Sequence, residues 1–174
     1  MRNKLSQNIY MIKKSLLASV FLFAFTLASV AQLPSVPLKS LNGKAIDSSK
    51  LAKNGKPVII SFFATWCKPC MRELRAIAEV YPDWQDETGV NMYIVSIDEA
   101  QNANKVKPLV DAESWEYDVL LDEKQEFFNS LGLQSVPHVL VLDGNGKIVY
   151  NHSGYTDGSE SEIIKAVRKC SSKK

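Results

Sequence analysis

The chain has 174 residues, 45% of them hydrophobic, with 21 basic and 19 acidic side chains and three cysteines. That is enough apolar material for one packed domain and too few cysteines for a disulfide-dense scaffold. With near-balanced charge and no basic block beyond Lys173-Lys174, nucleic-acid binding has no electrostatic basis.

The first 31 residues read as a separate segment. Arg2, Lys4, Lys13 and Lys14 precede an apolar run from Leu16 to Val30, and Ser29 and Ala31 place small residues at a cleavage site. The pattern predicts a signal over 1–31 and a single domain over 32–174, exported to the periplasm and soluble after cleavage. An uncleaved membrane anchor is the alternative, although the run is short of the ~20 residues a spanning helix needs. Removing the segment takes four basic and no acidic residues, leaving 17 against 19 on 143 residues.

Val36 to Leu41 and Lys44 to Ile46 read as short strands around an Asn42-Gly43 turn. "PVIISFFAT", 57 to 65, is a continuous apolar run that suits a strand buried on both faces. A helix is predicted from about Cys67, with Leu74, Ile77, Ala78 and Tyr81 at helical spacing and Gly89 ending the region. "VNMYIVSID", 90 to 98, is a second buried strand, so the three elements form a βαβ unit with a right-handed crossover. Residues 102–112 and 123–131 look helical, separated by a short apolar piece, Val119 to Leu121. The stretch from Pro137 to Tyr155 alternates around Asp143-Gly144-Asn145-Gly146 and reads as a hairpin. Glu160 to Lys169 is an amphipathic helix with Ile163, Ile164 and Val167 on one face. The fold class is α/β: a central mixed sheet flanked by helices, with an N-terminal β-hairpin extension and an insertion after the βαβ unit.

The chemistry centres on Trp66-Cys67-Lys68-Pro69-Cys70. Two cysteines three apart could be a structural disulfide, half a metal site or a redox pair. An exported domain of this size has a core of its own and does not need a single close pair as a staple. A cysteine at the first turn of a helix faces unpaired N–H groups and a partial positive charge, which favour the thiolate. Pro69 fits the first turn because its missing N–H has no partner to lose. Cys67 is expected to be the exposed nucleophile, and Cys70, almost a turn further and facing inward, the resolving thiol. The chain returns to this site at "SVPHV", 135 to 139. Cys170, near the polar tail, is expected to be non-catalytic.

This motif at a strand–helix junction, followed at Pro137 by a proline opening a hairpin, resembles the thioredoxin superfamily. The N-terminal segment, the insertion around 99–122 and Glu73 resemble its exported TlpA/ResA-like branch. The resemblance covers about 34 to 170 and implies a thioredoxin-like fold and a thiol–disulfide oxidoreductase. It implies a redox disulfide Cys67–Cys70, a cis peptide bond at Pro137, and pairing of the Val136 backbone with a bound substrate strand. Disulfide-bearing protein substrates, apocytochrome c among the precedents, and a membrane-embedded electron donor are the partners it implies. No cofactor and a monomeric chain are expected.

The sequence departs from the family pattern at two places. Ser61 stands where thioredoxins carry a buried acid six residues before the first cysteine. Glu73, three residues after Cys70, is the replacement candidate as proton acceptor, with a surface glutamate paired to Arg72 as the plain alternative. His138 follows the proline where threonine is common. Cys67, Cys70 and His138 could together bind copper or zinc, though C-x-x-C zinc sites normally use two further protein ligands. A peroxide-reducing enzyme of related fold is a further alternative, but it would carry a proline that "FFATWCKPC" lacks. Trp66 is read as flanking a substrate groove; Trp84, Trp115 and Phe127-Phe128 are read as packing residues.

Overall fold

The computed structural model describes residues 33–52 and 55–171. The predicted signal over 1–31, with its cleavage site at Ala31, and the Lys173-Lys174 tail lie outside the described residues. Strands β1 (Pro37–Ser40) and β2 (Ala45–Asp47) form the expected hairpin. Gly43 turns it with φ 81°, a left-handed conformation that glycine adopts without strain. All six residues of β3 (Val58–Phe63) are buried, as a strand covered on both faces requires. Helix α1 (Lys68–Thr88) ends at Gly89, whose N–H bonds the Gln85 carbonyl at 2.8 Å. β4 (Asn91–Ser96) then lies parallel to β3, with Ser96 opposite Phe63.

The insertion contributes to the sheet itself. A 3₁₀ turn over Ala103–Lys105 leads into α2 (Val106–Glu113), which stops at Ser114 in the left-handed region, φ 53°. The short apolar piece is β5 (Asp118–Leu121), parallel to β4 and antiparallel to β1. The helix expected over 123–131 is only α3 (Glu126–Ser130). Gln125, at φ 56°, interrupts the helical path. The Asp122 carboxylate accepts the N–H groups of Phe127 at 3.3 Å and Phe128 at 2.9 Å, so the helix is capped late. β6 (His138–Leu142) and β7 (Ile148–Ser153) form the predicted second hairpin, and α4 (Glu160–Ser171) follows.

Among the described residues, seven strands make one mixed sheet in the order β2-β1-β5-β4-β3-β6-β7. Successive right-handed crossovers from β3 to β4 to β5 put α1 and α2 on the same face. There the Tyr117 hydroxyl donates to the Leu74 carbonyl at 2.9 Å and Arg75 pairs with Glu113. α4 packs against α1, with Arg168 forked onto the Glu87 carboxylate at 2.7 Å for both bonds. Phe127 and Phe128 meet Phe62 at ring distances of 5.3 and 5.5 Å. Alternation along β3 therefore turns Ser61 toward α1, and Phe62, with its cross-strand partner His138, toward α3. Trp84, Trp115 and the two phenylalanines are buried, as packing residues should be.

One backbone contact fixes the β6–β7 turn against the loop before β3. A Cβ on Gly144 would lie 2.5 Å from the Gly55 carbonyl oxygen and 2.6 Å from its carbonyl carbon. Gly144→Ala is expected to lose about 1–3 kcal/mol by overpacking, read as a lower urea midpoint at unchanged slope. An unchanged midpoint would show that the Gly55 loop yields freely.

Candidate active site

β3 delivers the chain to the carboxyl edge of the sheet, and α1 starts after four connecting residues. Cys67 is the N-cap of α1, with extended backbone (φ −88°, ψ 97°). Its Sγ accepts the N–H of Cys70 at 3.2 Å, the place usually taken by a serine or aspartate oxygen. Its own N–H bonds the Ala64 carbonyl at 3.0 Å, closing the turn between strand and helix. Cys67 and Cys70 are joined by a disulfide, with Cα atoms 5.3 Å apart. The expectation of an exposed Cys67 needs correction: it is 5% exposed and Cys70 not at all. The reason is the cap, which turns the Cys67 sulfur inward over the helix end and onto Cys70. What is exposed is its neighbour Trp66, at 67%. Trp66 lines a shallow groove with Thr65, Asn102, Lys105 and Leu109.

Glu73 lies one turn beyond Cys70 on the buried side of α1 and is 2% exposed. Ser61, in the neighbouring strand β3, donates its hydroxyl to Glu73 Oε1 at 3.0 Å. Arg72 does not pair with Glu73; it lies 3.6 Å from Asp157 and over the Tyr155 ring. Burial pushes the Glu73 carboxyl from its ordinary 4.5 up to about 7, against the opposing effect of the Ser61 hydrogen bond. The residue is thus a buried carboxyl poised near neutrality.

The Val136–Pro137 peptide bond is cis. Pro137 immediately precedes β6, and its carbonyl accepts the Gly154 N–H at 2.8 Å. Since His138 is the partner of Phe62, Pro137 sits one step along, at the same sheet edge as the loop to Cys67. His138 itself is buried on the opposite face from Ser61, its Nε2 2.7 Å from Asn151 Oδ1 and its Nδ1 without a hydrogen-bond partner. Burial pushes its pKa down. Among the described residues no three His, Cys, Asp or Glu side chains are grouped to hold a metal.

Sequence reasoning passes over Asp98. It closes the apolar run 90–98, yet it is 2% exposed. Its carboxylate accepts the Thr65 N–H at 2.8 Å, the Thr65 hydroxyl at 2.7 Å and the Ser96 hydroxyl at 2.8 Å. The available signal was an acid ending a strand that runs beside the one leading to the cysteines.

The family model described as AhpC/TSA matches residues 30–151. Thiol-disulfide oxidoreductase ResA of Bacillus thuringiensis is 32% identical over 68% of this chain, which covers 65%, just under two thirds, of that relative. Thioredoxin-like protein YneN of Bacillus subtilis is 31% identical over 75% of each chain. The solution structure of an uncharacterized thioredoxin-like protein from Porphyromonas gingivalis shares 60% identity and superposes with a TM-score of 0.73, covering 81% of this chain and 92% of that one. The fold, the Cys67–Cys70 pair and these matches agree, and the chain belongs to the AhpC/TSA family as a thioredoxin-superfamily protein of the TlpA/ResA-like branch.

Proposed function

We propose that this chain is a thiol–disulfide oxidoreductase that reduces or isomerises disulfides of protein substrates. The observation that carries the reading is the Cys67–Cys70 disulfide at the N-terminus of α1, with the carboxyl of Glu73 buried one turn below. In the dithiol form, the Cys67 thiolate attacks one sulfur of a substrate disulfide. A mixed disulfide forms and the other substrate sulfur leaves as a thiolate. Cys70 then gives its proton to the Glu73 carboxylate, directly or through water, and attacks Cys67 Sγ. The Cys67–Cys70 bond forms and the second substrate sulfur is released. Two electrons pass from the protein to the substrate; the reverse sequence would oxidise it.

Val136 and Pro137 take the role of substrate-strand platform. They share the sheet edge with the Cys67 loop, and a peptide pairing in extended form gains affinity from main-chain hydrogen bonds. Trp66, exposed beside Cys67, offers an apolar surface to the same substrate. The position of Cys70 supports this dithiol chemistry over peroxide reduction by a single thiol, which would leave the buried partner idle. The export pattern read over 1–31 supports a periplasmic reaction, with apocytochrome c thiols or misformed disulfides as substrates and a membrane-embedded donor restoring the dithiol. No helix among the described residues is long and apolar enough to cross a membrane. The protein acts as a monomer without a cofactor.

The first test is chemical. In the reduced protein Cys67 should be alkylated at a pH well below that of an ordinary thiol while Cys70 remains protected, and Cys70→Ser should accumulate mixed disulfides through Cys67. Equal labelling of both sulfurs, with no trapped adducts, would sink the assignment.

The second test concerns Glu73. Because its ionised form is the proton acceptor, turnover limited by resolution should rise through pH 7, and Glu73→Gln should slow it on the order of 10²-fold and flatten the rise. The sign for stability is the opposite. A group whose pKa is raised by folding contributes fully below its unfolded value of 4.5 and loses that contribution as pH climbs through about 7. Glu73→Gln should therefore be roughly 3 kcal/mol more stable than the parent at pH 8 and no more stable at pH 4, by urea denaturation of the oxidised proteins. A variant equal to the parent at both pH values, with unchanged turnover, would reduce Glu73 to a packing residue.

A further inference from the structure

We infer that Asp98 is a positioning residue for the redox pair: it anchors the Cys67 loop through Thr65 and, by its charge, biases the pair toward the disulfide. The inference rests on the oxidoreductase reading above and adds to it a determinant of which way the reaction runs.

The ladder between β3 and β4 ends with Phe63 opposite Ser96, plus one further bond from the Ile97 N–H to the Phe63 carbonyl at 2.9 Å. Beyond that point the two strands part, and the Thr65 N–H has no strand carbonyl to reach. The Asp98 side chain fills the gap. It takes the backbone N–H of Thr65 and the Thr65 hydroxyl on different oxygens, at 2.8 and 2.7 Å. Asp98 is in turn held by Ser96, whose hydroxyl donates to Oδ2 at 2.8 Å and accepts the Asp98 N–H at 3.1 Å. A residue two positions before Cys67 is thus fixed by a forked, charge-assisted contact in a buried place. Since Cys67 must present its sulfur over the end of α1 to cap Cys70, the loop's freedom is restricted where the redox sulfur needs it to be.

Three donors face the two oxygens of the Asp98 carboxylate. The N-terminal end of α1 favours a thiolate on Cys67, but a buried carboxylate bonded to Thr65, two positions before Cys67, opposes one. The disulfide carries no charge and is unaffected. Asp98 therefore raises the free energy of the dithiol form relative to the disulfide, which makes the pair a stronger reductant. This is the direction a reductase needs, and neither Cys67 nor Cys70 can set it alone.

The test uses three measurements on the full chain: the dithiol/disulfide equilibrium against glutathione, the rate of reduction of a small protein disulfide such as insulin, and thermal stability. Asp98→Asn keeps the shape and removes the charge. It should move the equilibrium about tenfold toward the dithiol. Thr65→Val keeps the charge and the backbone bond but removes the hydroxyl. It should leave the equilibrium within about twofold while lowering the reduction rate several-fold, with kcat falling more than KM rises. An Asp98→Asn equilibrium equal to the parent's, with only the melting temperature lowered, would make Asp98 a structural residue and overturn the inference. If Asp98→Asn does not fold, Thr65→Val decides: an unchanged rate overturns the anchoring. Failure of the parent protein to exchange with glutathione at all would instead count against the oxidoreductase reading itself.

Discussion

A sulfur occupies the place where helix α1 needs an acceptor, and the active site is arranged around that substitution. The first N–H groups of any helix have no partner within it, and here the Cys70 N–H is satisfied by Cys67 Sγ at 3.2 Å. The same residue that caps the helix is bonded through its sulfur to Cys70, with the two Cα atoms 5.3 Å apart. It also places the reactive sulfur in the positive end of the helix dipole. The rest of the fold serves to hold this junction still. β3 has all six residues buried, with neighbours bonded on both sides, and so gives the turn at Ala64–Cys67 a rigid base.

Two carboxyl groups flank that junction, and their surroundings give them different work. Glu73 is buried with a hydrogen bond from Ser61, and its proton is held to about pH 7. Asp98 has three donors and acts as an anchor. Glu73 can accept a proton near neutrality, whereas both oxygens of Asp98 are taken up by Thr65 and Ser96. Keeping an ionisable group with one partner in the interior costs stability above neutral pH. The fold tolerates it because the surrounding aromatic and aliphatic packing is extensive.

Much of this was legible in the chain. The run Val58–Phe63 announces a doubly covered strand because nothing polar but Ser61 interrupts it, and Gly43, Gly89 and Gly146 mark turns whose φ values are 81°, 67° and 83°. The cysteine pair at the strand–helix junction follows from the same pattern. What was not legible depends on approach in three dimensions. Four residues of β5 are too few to show a period, so a strand central to the sheet read only as an apolar piece. The late start of α3 depends on Asp122 reaching forward to Phe127 and Phe128, which spacing does not reveal. The burial of Cys67 arises from a cap made by its own sulfur. Whether Glu73 lay inside or outside turned on β3 presenting Ser61 to it, and Asp98 looked like any acid at the end of a strand.

The insertion also explains why Asp98 is buried. Were β4 the edge of the sheet, its last residues would lie open to water and a carboxylate there would hold Thr65 weakly, since solvent competes for every bond. Instead β5 pairs alongside β4, and the chain leaving β5 folds over its end: the Asp122 N–H donates to the Ser96 carbonyl at 2.9 Å and the Gln125 side chain to the Ile97 carbonyl at 3.0 Å. Ser96, Ile97 and Asp98 are thereby enclosed. The hydrogen bonds from Thr65 to Asp98 then act in a low-dielectric setting where they are stronger and harder to exchange. Elements added to one side of the sheet thus bear on the Cys67 loop through β4, Asp98 and Thr65.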